Sequence, residues 1–405
     1  MTELQTWVDV PADTDFPIEN LPFGMFRAGP DERVRPGVAI GDHIVDLLAV
    51  HDLGVMRLRP AELDSDSLNP FLSDGRLSAI RARVSGLLTA GNVEISDHSG
   101  AVLRRQDDVE MVLPVEVGDY VDFYSSEQHA TNLGRLFRPD GDPLLPNWKH
   151  IPIGYHGRSS TIVISGTAIR RPDGQRKPKG ADTPTFGPSE RLDIELEVGF
   201  VAGEGNGLGA PIPVEDAEGH IAGMLLVNDW SARDIQAWEY QPLGPFLGKS
   251  FATTVSPWLV AMDALEPYRV AAPEQVPEPL GYLKSDWRRG LDLDLEVLLN
   301  GTSIARTNFA EMYWTIDQQL AHAASNGAVV RPGDLFASGT VSGSQPGTYG
   351  SLLELTRGGV EPLELDDGSV RTFLEDGDTV ELRGWCEGDG LPRIGFGSCV
   401  GTIVG

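Results

Sequence analysis

The sequence predicts a mainly β protein in which a small N-terminal domain precedes a large, mainly antiparallel β domain with a few helices. Two observations predict this class. Short runs of alternating polar and apolar residues recur along the chain, as expected for strands that bury one face. The chain also contains 47 glycines and 29 prolines that follow no period, which suits many strands joined by tight turns.

The chain is predicted to divide near residue 114, into one domain over residues 1–114 and a second over residues 115–405. The segment from 101 to 118 mixes charged residues with Pro114 and Gly118, a composition that favours neither helix nor strand. A length of 405 residues is enough for two or three domains, although a single β-rich domain can account for half of it.

Alternation and helical periodicity locate the elements. In RLDIELEVGFV the apolar residues lie on one strand face, and Asp193, Glu195 and Glu197 lie on the other. The other predicted strands are VRPGVAIGDHIVDL, the buried IAGMLLVN, TVELRGW, and LDLDLEVLLNG with its Asn300-Gly301 turn. Helices are predicted within LSAIRARVSGLLTAG and within FAEMYWTIDQQLAHAASNG, which ends at Asn326-Gly327.

Charge and composition exclude several kinds of partner. The 60 acidic and 32 basic residues give a formal net charge of −28, which repels nucleic acid and anionic membranes. An anionic substrate would therefore need a local positive pocket. The N-terminal MTELQTWVDVPADTDF lacks a secretion signal, and no apolar stretch approaches the roughly 20 residues of a membrane span. With only two cysteines, Cys386 and Cys399, the simplest expectation is a cytoplasmic protein without nucleic-acid or membrane partners.

Four acidic residues are candidate metal ligands. Glu195 and Glu197 are two apart on a predicted strand, so their side chains point the same way, about 7 Å apart. Taken alone, such a pair is more often a solvated strand face. Asp229 favours a metal site because it ends a buried strand, where an unpaired acid is costly, and Asp122 in GDYVDFYSS is the fourth candidate. Four oxygen ligands fit Mg²⁺ or Ca²⁺, and no zinc spacing accompanies them.

The segment NDWSARDIQAWEY contains a second group of polar candidates. If it is helical after Asp229, then Arg233, Gln236 and Tyr240 lie along one face, with Asp229 one turn below. A cation, an amide and a phenol on one face would make a wall for a polar substrate. Viewed alone, the segment is more often simply the outer face of a helix.

A candidate base lies in DFYSSEQHATNLGRLFR. The pattern Ser125-x-x-Gln128 resembles a capping box, which predicts a helix that starts near Ser126 with His129 in its first turn. A helix N-terminus favours a neutral imidazole, which can act as a base. A lone histidine is more often structural.

Three motif-like segments do not support other enzyme classes. GPFLGKS has one residue too few between its glycines for a P-loop. In GEGNGLGAPIP the residues Pro211 and Pro213 forbid the helix that a dinucleotide fold needs. The G-x-S-x-G pattern of the nucleophile-elbow hydrolases is absent from the sequence.

Five segments together resemble the fumarylacetoacetase family: DFYSSEQHATN, LLPNWKHIPIGYHGRSS, RLDIELEV, NDWSARDIQAWEYQPLGPFLGKSFATT and GDLFASGTVSGS. The similarity runs from DFPIENLPFG to IGFGSCVG, which is essentially the whole chain. The resemblance implies an SH3-like barrel over residues 1–114, a large mixed β-roll with a few helices over the rest, and a homodimer. It also implies hydrolysis of 4-fumarylacetoacetate to fumarate and acetoacetate, the last step of tyrosine and phenylalanine catabolism.

The resemblance assigns roles to individual residues. The implied metal ligands are Asp122, Glu195, Glu197 and Asp229, with Lys249 and Thr253 at a second cation position, for Mg²⁺ or Ca²⁺. The implied base is His129 held by Glu354, and the implied oxyanion donors are Arg233, Gln236 and Lys249. The implied substrate-binding residues are Tyr124, Arg138, Tyr155, Gln236, Tyr240 and Thr340. These residue types suit the reaction, because water attack on a ketone needs a base, fixed donors for the alkoxide, and a Lewis acid for the leaving group.

The sequence is also compatible with two other functions. One is a related enzyme that acts on another diketo acid, such as an acylpyruvate hydrolase or a decarboxylase. Such a chain is expected to lack the N-terminal domain and the His129 segment, and this chain has both. The other is a catalytically silent binding protein with the same fold. Loss of His129, Glu354 or a metal acid would indicate such a protein, and this chain keeps all of them.

Overall fold

The computed structural model describes residues 4–138, 140–285 and 289–405. The N-terminal part forms a five-stranded antiparallel sheet. Its strands, in spatial order, are Leu103–Arg105, His43–Asp46, Arg35–Ile40, Phe23–Arg27 and Glu110–Val112. The sheet ends two residues before the predicted boundary at residue 114, and the division of the chain there stays a prediction.

An eight-stranded mixed sheet forms the centre of the molecule. Its strands, in spatial order, are Gly154–His156, Tyr120–Phe123, Leu335–Ala337, Leu196–Ala202, Ile221–Asp229, Thr253–Val255 and Ile162–Ile164, with Val260–Ala261 pairing to Ile221–Asp229. Two of the pairings are parallel, and both involve short strands far apart in sequence. The other strand pairs of this sheet are antiparallel, as expected.

A six-stranded sheet and four two-stranded ribbons complete the β structure. The six strands are Thr302–Asn308, Asp294–Leu299, Thr379–Gly388, Cys399–Val404, Ala168–Arg170 and Leu391–Gly395. The ribbons pair Asp173–Arg176 with Thr185–Pro188, Leu192–Asp193 with Ser231–Ala232, Arg269–Ala271 with Arg289–Leu291, and Leu363–Glu364 with Val370–Arg371. The predicted hairpin turn is confirmed, because Asn300 and Gly301 both have positive φ, 51° and 84°.

The helices are short and few. The α-helices are Leu47–Asp52, Pro60–Leu63, Arg76–Leu88, Ser99–Val102, Glu127–Phe137, Arg233–Glu239, Met262–Leu265, Ile316–Ala324 and Leu352–Leu355. The 3₁₀ turns are Asn69–Phe71, Ser96–His98, Gln106–Asp108, Ser159–Thr161, Ala217–His220, Glu266–Tyr268, Gly281–Leu283 and Phe309–Glu311. No helix in the described ranges is both long and apolar enough to cross a membrane. The predicted fold class, mainly β with a small N-terminal sheet and few helices, is confirmed.

The central sheet is covered on both faces. Leu196, Val198 and Phe200 pack into the main core of the large domain. On the opposite face, Val201 packs into the core of the N-terminal sheet, together with Leu225 from the neighbouring strand. The alternative of a solvated strand face for Glu195 and Glu197 is therefore excluded, because the N-terminal sheet covers that face and the strand is buried on both sides.

Candidate active site

The four acidic candidates meet because three strands of the central sheet bring them to one end. Asp122 lies on Tyr120–Phe123, Glu197 on Leu196–Ala202, and Asp229 ends Ile221–Asp229. Glu195 precedes its strand by one residue, and its carbonyl oxygen accepts a hydrogen bond from the backbone N–H of Asp229 at 3.3 Å. The predicted continuous strand is interrupted here, at residues 194 and 195.

The four carboxylates form a buried cluster that could hold a cation. Asp122, Glu195, Glu197 and Asp229 each offer an oxygen atom, and these atoms all lie within 4.8 Å of one another. None of the four residues is more than 5% exposed, which excludes a solvated acidic face. Asp122 Oδ1 and Glu197 Oε1 are buried without a hydrogen-bond partner in the described part of the chain. Buried carboxylate oxygens without a hydrogen-bond donor are suitable ligands for a hard divalent cation.

Neighbouring charges divide the cluster into two kinds of acid. Burial, reinforced by the negative charge of Asp229, raises the pKa of Asp122 well above its usual range. Burial and the charge of Asp122 likewise raise the pKa of Glu197. Burial also acts on Glu195, but the cations of Lys249 and Arg233 outweigh it and lower the pKa of Glu195 to about 2. Lys249 and Arg233 therefore neutralise the charge of Glu195. The buried charges of Asp122 and Glu197 need either a proton or a bound cation to neutralise them.

Lys249 and Thr253 both contact Asp229. The Lys249 ammonium donates to Asp229 Oδ2 at 2.7 Å and also to Glu195 Oε2. Thr253 Oγ1 donates to Asp229 Oδ1 at 3.2 Å. In this arrangement Lys249 is a counter-ion for two acids, and the role of both residues at a second cation position stays a prediction.

His129 lies in the first turn of the helix Glu127–Phe137, as predicted. The cap differs from the prediction, because the Ser126 hydroxyl rather than that of Ser125 accepts from the backbone N–H of His129, at 3.2 Å. His129 Nδ1 lies 2.6 Å from Glu354 Oε2, and Nε2 lies 3.9 Å from Glu195 Oε1. The ring is 1% exposed, so this histidine is a buried group held between two carboxylates.

Glu354 is fixed by several donors besides His129. The hydroxyls of Ser342 and Ser351 donate to Oε2 at 2.9 and 2.8 Å, and Asn132 Nδ2 donates to Oε1 at 2.9 Å. Burial opposes its ionisation, but the His129 ring and these donors outweigh burial and lower the pKa of Glu354. The carboxylate is therefore charged and oriented toward the histidine.

Arg233 and Gln236 lie on the same helix face, as predicted. Arg233 Nη1 forms an ion pair with Glu195 Oε1 at 2.8 Å and donates to Gln236 Oε1 at 3.2 Å. The expectation that Asp229 lies one turn below them on the same helix is wrong. Asp229 belongs to the strand, a two-residue strand follows, and the helix begins only at Arg233. Arg233 Nη2 is buried and has no partner among the described residues, so it can donate to a ligand.

Apart from Gln236, which contacts Arg233, the predicted substrate-binding residues fall into two groups. Three lie in or beside the buried site: Tyr155 donates to Asp229 Oδ2 at 3.1 Å, the Tyr124 ring meets the His129 ring edge-on at 5.3 Å, and the buried Thr340 Oγ1 has no partner in the described ranges. Tyr240 and Arg138 are exposed instead. Tyr240 accepts from Gln241, and Arg138 donates to the carbonyl of Pro143. The substrate roles of all of them stay predictions.

A cavity of about 250 Å³ opens beside Asp229 and Lys249. Its remaining lining residues are Tyr120, Tyr155, His156, Gly157, Arg158, Ser159, Ser160, Pro245, Phe246 and Ser250. Arg158 and Lys249 are the positive side chains of this cavity, and the Lys249 ammonium is paired there with Asp229. Arg158 lies in the segment LLPNWKHIPIGYHGRSS, but no sequence pattern singled it out.

One backbone position also serves the site. Gly339 has φ of 81°, and a Cβ atom there would collide with the backbone of Phe123. Its N–H donates to Glu197 Oε2 at 3.1 Å. A glycine is therefore needed for the chain to pass this close to the acidic cluster.

Asp193 is the main residue that the sequence analysis missed. It was assigned to the same strand face as Glu195 and Glu197 without a role, yet it is fully buried and pairs with Arg233 Nε at 2.7 Å. The helpers of Glu354, which are Asn132, Ser342 and Ser351, were also missed. Ser342 lies in GTVSGSQ and Ser351 in GSLLEL, and the small polar residues of these segments are the only sequence signal for them.

Comparisons with known proteins identify relatives over the full chain. The family model described as Fumarylacetoacetate (FAA) hydrolase C-terminal matches residues 120–404, and the one described as Fumarylacetoacetase N-terminal matches residues 19–114. The chain is 49% identical to the fumarylacetoacetases of Rattus norvegicus and Homo sapiens, with 98% of this chain and 98% of each relative covered. It is also 49% identical to the fumarylacetoacetase of Arabidopsis thaliana, over 100% of this chain and 99% of the relative.

Two solved structures share the fold. A fumarylacetoacetate hydrolase from Exiguobacterium antarcticum superposes with a TM-score of 0.55 at 17% identity, covering 95% of this chain and 99% of its own. A maleylpyruvate hydrolase from a Sphingobium species, solved with manganese(II) and pyruvate, superposes with a TM-score of 0.52 at 15% identity and the same coverage. Because the identity to full-length curated relatives is 49% and the two family models together cover residues 19–114 and 120–404, the chain belongs to the fumarylacetoacetase family.

Proposed function

We propose that the chain hydrolyses the carbon–carbon bond of 4-fumarylacetoacetate, giving fumarate and acetoacetate. The observation that carries this proposal is the buried His129–Glu354 pair, 2.6 Å apart, beside a cluster of four buried acids. A base next to a cation site is what hydrolysis of a diketone requires. Family membership supports this substrate over those of acylpyruvate hydrolases and decarboxylases.

His129 is the proposed general base. Its Nδ1 is held by Glu354, which leaves Nε2 as the ring atom that accepts a proton from water. The Glu354 carboxylate, ionised and fixed by three further donors, then stabilises the positive imidazolium. General-base catalysis of this kind typically contributes about 10²–10⁴-fold to the rate.

Three donors are proposed to stabilise the alkoxide that forms when water attacks the carbonyl. Arg233 Nη2 is buried and has no partner in the described part of the chain, and Lys249 carries an ammonium group in the same cluster. Gln236 accepts from Arg233 through Oε1, which leaves its amide NH₂ free to donate. Removing one such donor typically costs about 3 kcal/mol of transition-state stabilisation.

Asp122, Glu195, Glu197 and Asp229 would hold a divalent cation, and we propose Mg²⁺ or Ca²⁺ because the donors are all oxygen atoms. Lys249 and Thr253 would complete a second position beside Asp229. A divalent cation at this site supplies Lewis-acid stabilisation of the leaving acetoacetate. Arg233 and Lys249 contribute positive charge of their own beside these carboxylates.

The remaining roles follow from family membership. Tyr124, Arg138, Tyr155, Gln236, Tyr240 and Thr340 are the proposed substrate-binding residues. We further propose that the protein works in the cytoplasm as a homodimer, in tyrosine and phenylalanine catabolism, on a small anionic diketo acid.

Product analysis tests the proposed reaction. Purified protein with Mg²⁺ or Ca²⁺ is incubated with fumarylacetoacetate, and the products are separated and quantified. Fumarate and acetoacetate in equal amounts are expected. Release of carbon dioxide with retention of the longer carbon chain would instead identify a decarboxylase. A much faster turnover of an acylpyruvate would identify the other related activity.

A further inference from the structure

We propose that Asp193 is a positioning residue that sets the geometry of both halves of the active site, the oxyanion donors and the His129–Glu354 pair. This inference rests on the proposed function. In the described structure the Asp193 carboxylate forms no hydrogen bond with His129 or with the four acids of the cluster, so its role would be indirect. Its carboxylate is fully buried and accepts hydrogen bonds from groups on two separate segments.

The first segment carries Arg233. The guanidinium Nε donates to Asp193 Oδ2 at 2.7 Å, while Nη1 pairs with the Glu195 carboxylate and donates to Gln236. A guanidinium is planar, so fixing Nε fixes the direction of Nη1 and Nη2. Asp193 therefore determines where the unpartnered Nη2 lies, and with it the position of a proposed oxyanion donor.

The second segment is the short helix Leu352–Leu355, which carries Glu354. Asp193 Oδ1 accepts from the backbone N–H of Leu352 at 2.7 Å, and Oδ2 accepts from that of Leu353 at 3.1 Å. The next residue is Glu354, whose carboxylate holds His129 Nδ1. A shift of this turn by removal of its anchor would move the Glu354 carboxylate away from the histidine.

A second buried aspartate provides a matched control, because it is built in the same way but lies in the N-terminal sheet. Asp46 is fully buried, pairs with Arg35 Nη1 at 3.0 Å, and accepts from the backbone N–H of Leu48 and Ala49 at 3.0 and 3.1 Å. Both aspartates thus bind an arginine and the first turn of a short helix, and Asp46 also lies 3.9 Å from Nη2 of a second arginine, Arg104. Their asparagine variants should disturb the fold by the same mechanism.

The experiment compares Asp193→Asn with Asp46→Asn in the full chain, with the rate expressed per folded molecule. For Asp193→Asn we expect kcat to fall by about 10²-fold, the effect of a small misplacement of catalytic groups, with unchanged affinity for Mg²⁺. For Asp46→Asn we expect a lower melting temperature and an unchanged kcat. Combining Asp193→Asn with Glu354→Gln should cost less than the product of the two single losses, because both act through the same pair.

The outcomes separate this inference from the proposed function. An inactive wild-type protein in the same assay contradicts the proposed function itself. An active wild type with a folded Asp193→Asn variant whose kcat matches that of Asp46→Asn overturns the positioning role alone. If Asp193→Asn does not fold, Asp193→Glu takes its place, because it keeps the buried charge but displaces the carboxylate by one methylene. A folded Asp193→Glu variant with wild-type kcat overturns the inference equally.

Discussion

At the scale of single residues, the site combines acids that protein cations neutralise with acids that they do not. Glu195 lies against Lys249 and Arg233, and its pKa is lowered to about 2. Among the described residues, Asp122 and Glu197 form no ion pair with an arginine or lysine, and burial raises the pKa of each. A divalent cation favours the ionised form of these two carboxyls, so its uptake should release protons and weaken as the pH falls.

The role of His129 can be tested directly. In His129→Ala the hydrolysis rate constant should fall by at least about 10²-fold, because the variant lacks the group proposed to take the proton from water. Glu354→Gln should lower the rate in the same direction, and the double variant should lose little more than either single change. Rates and melting curves should be recorded on the same samples.

His51 provides the control for this substitution. Its Nδ1 accepts from the backbone N–H of Leu58 at 3.2 Å, in the N-terminal part of the chain. His51→Ala should lower stability and leave the rate per folded molecule unchanged. A folded His129→Ala protein with an intact rate would mean that the base is a different residue.

The sequence identified most of the candidate site at this scale, because the residues fall in distinctive segments. Asp193 escaped notice for a physical reason. Strict alternation places it on one face with Glu195 and Glu197, but the strand is interrupted after Asp193, and its partners come from residues 233 and 352–353. Contacts between segments so far apart are not visible in a local pattern.

At the scale of elements, strands were predicted better than helix starts. The helix of FAEMYWTIDQQLAHAASNG begins only at Ile316, because Phe309–Glu311 forms a 3₁₀ turn and Thr315 with Gln318 makes a capping box. The capping-box pattern read from the sequence, Ser125-x-x-Gln128, was misplaced by one residue, because Ser126 is the N-cap. Tertiary contacts decide which serine or threonine serves as the cap, so local patterns fix helix starts only approximately.

This helix also gives a pH-dependent prediction. Burial raises the pKa of Asp317, in its first turn, to about 6. An acid whose folded pKa is raised destabilises the fold above its unfolded pKa, and this cost is absent below about pH 4 and complete above about pH 6. Asp317→Asn should therefore stabilise the protein by about 1 to 3 kcal/mol at pH 7.5 and have little effect at pH 4.

Chemical denaturation at both pH values measures this effect. The exposed Asp216 serves as the control, because Asp216→Asn removes a carboxylate without changing a buried environment. A gain for Asp317→Asn that is equal at pH 4 and pH 7.5 would show that ionisation of Asp317 is not its cause.

At the scale of the whole molecule, the N-terminal sheet contributes to the site although it supplies none of its residues. The strand face that carries Glu197 and Asp229 also carries Val201, Leu225 and Val227, which pack into the N-terminal core. Phe23 and Leu259 further join the two parts through a pair of backbone hydrogen bonds of 2.9 and 2.7 Å. Sequence patterns predicted both parts but not this shared core, because alternation does not reveal what covers the second face of a sheet.

Removing residues 1–114 should therefore destroy more than a peripheral domain. The 115–405 fragment is expected to expose this apolar face, to aggregate or lose cooperative unfolding, and to bind no Mg²⁺. Co-expression with residues 1–114 in trans should restore solubility. The measurements are size-exclusion chromatography and thermal unfolding. A monomeric fragment with the melting temperature of the full chain would contradict this account of the interface.

The central claim is that four buried carboxylates hold a divalent cation on which the hydrolysis depends. The most direct test is the loss of fumarylacetoacetate absorbance, measured with full-length protein after chelator treatment and a metal assay of the product. The metal-free protein should be inactive, and stoichiometric Mg²⁺ or Ca²⁺ should restore the rate. Asp122→Asn, which removes one ligand charge, should require more cation for the same rate. Full turnover by a protein verified to be free of metal would contradict the account.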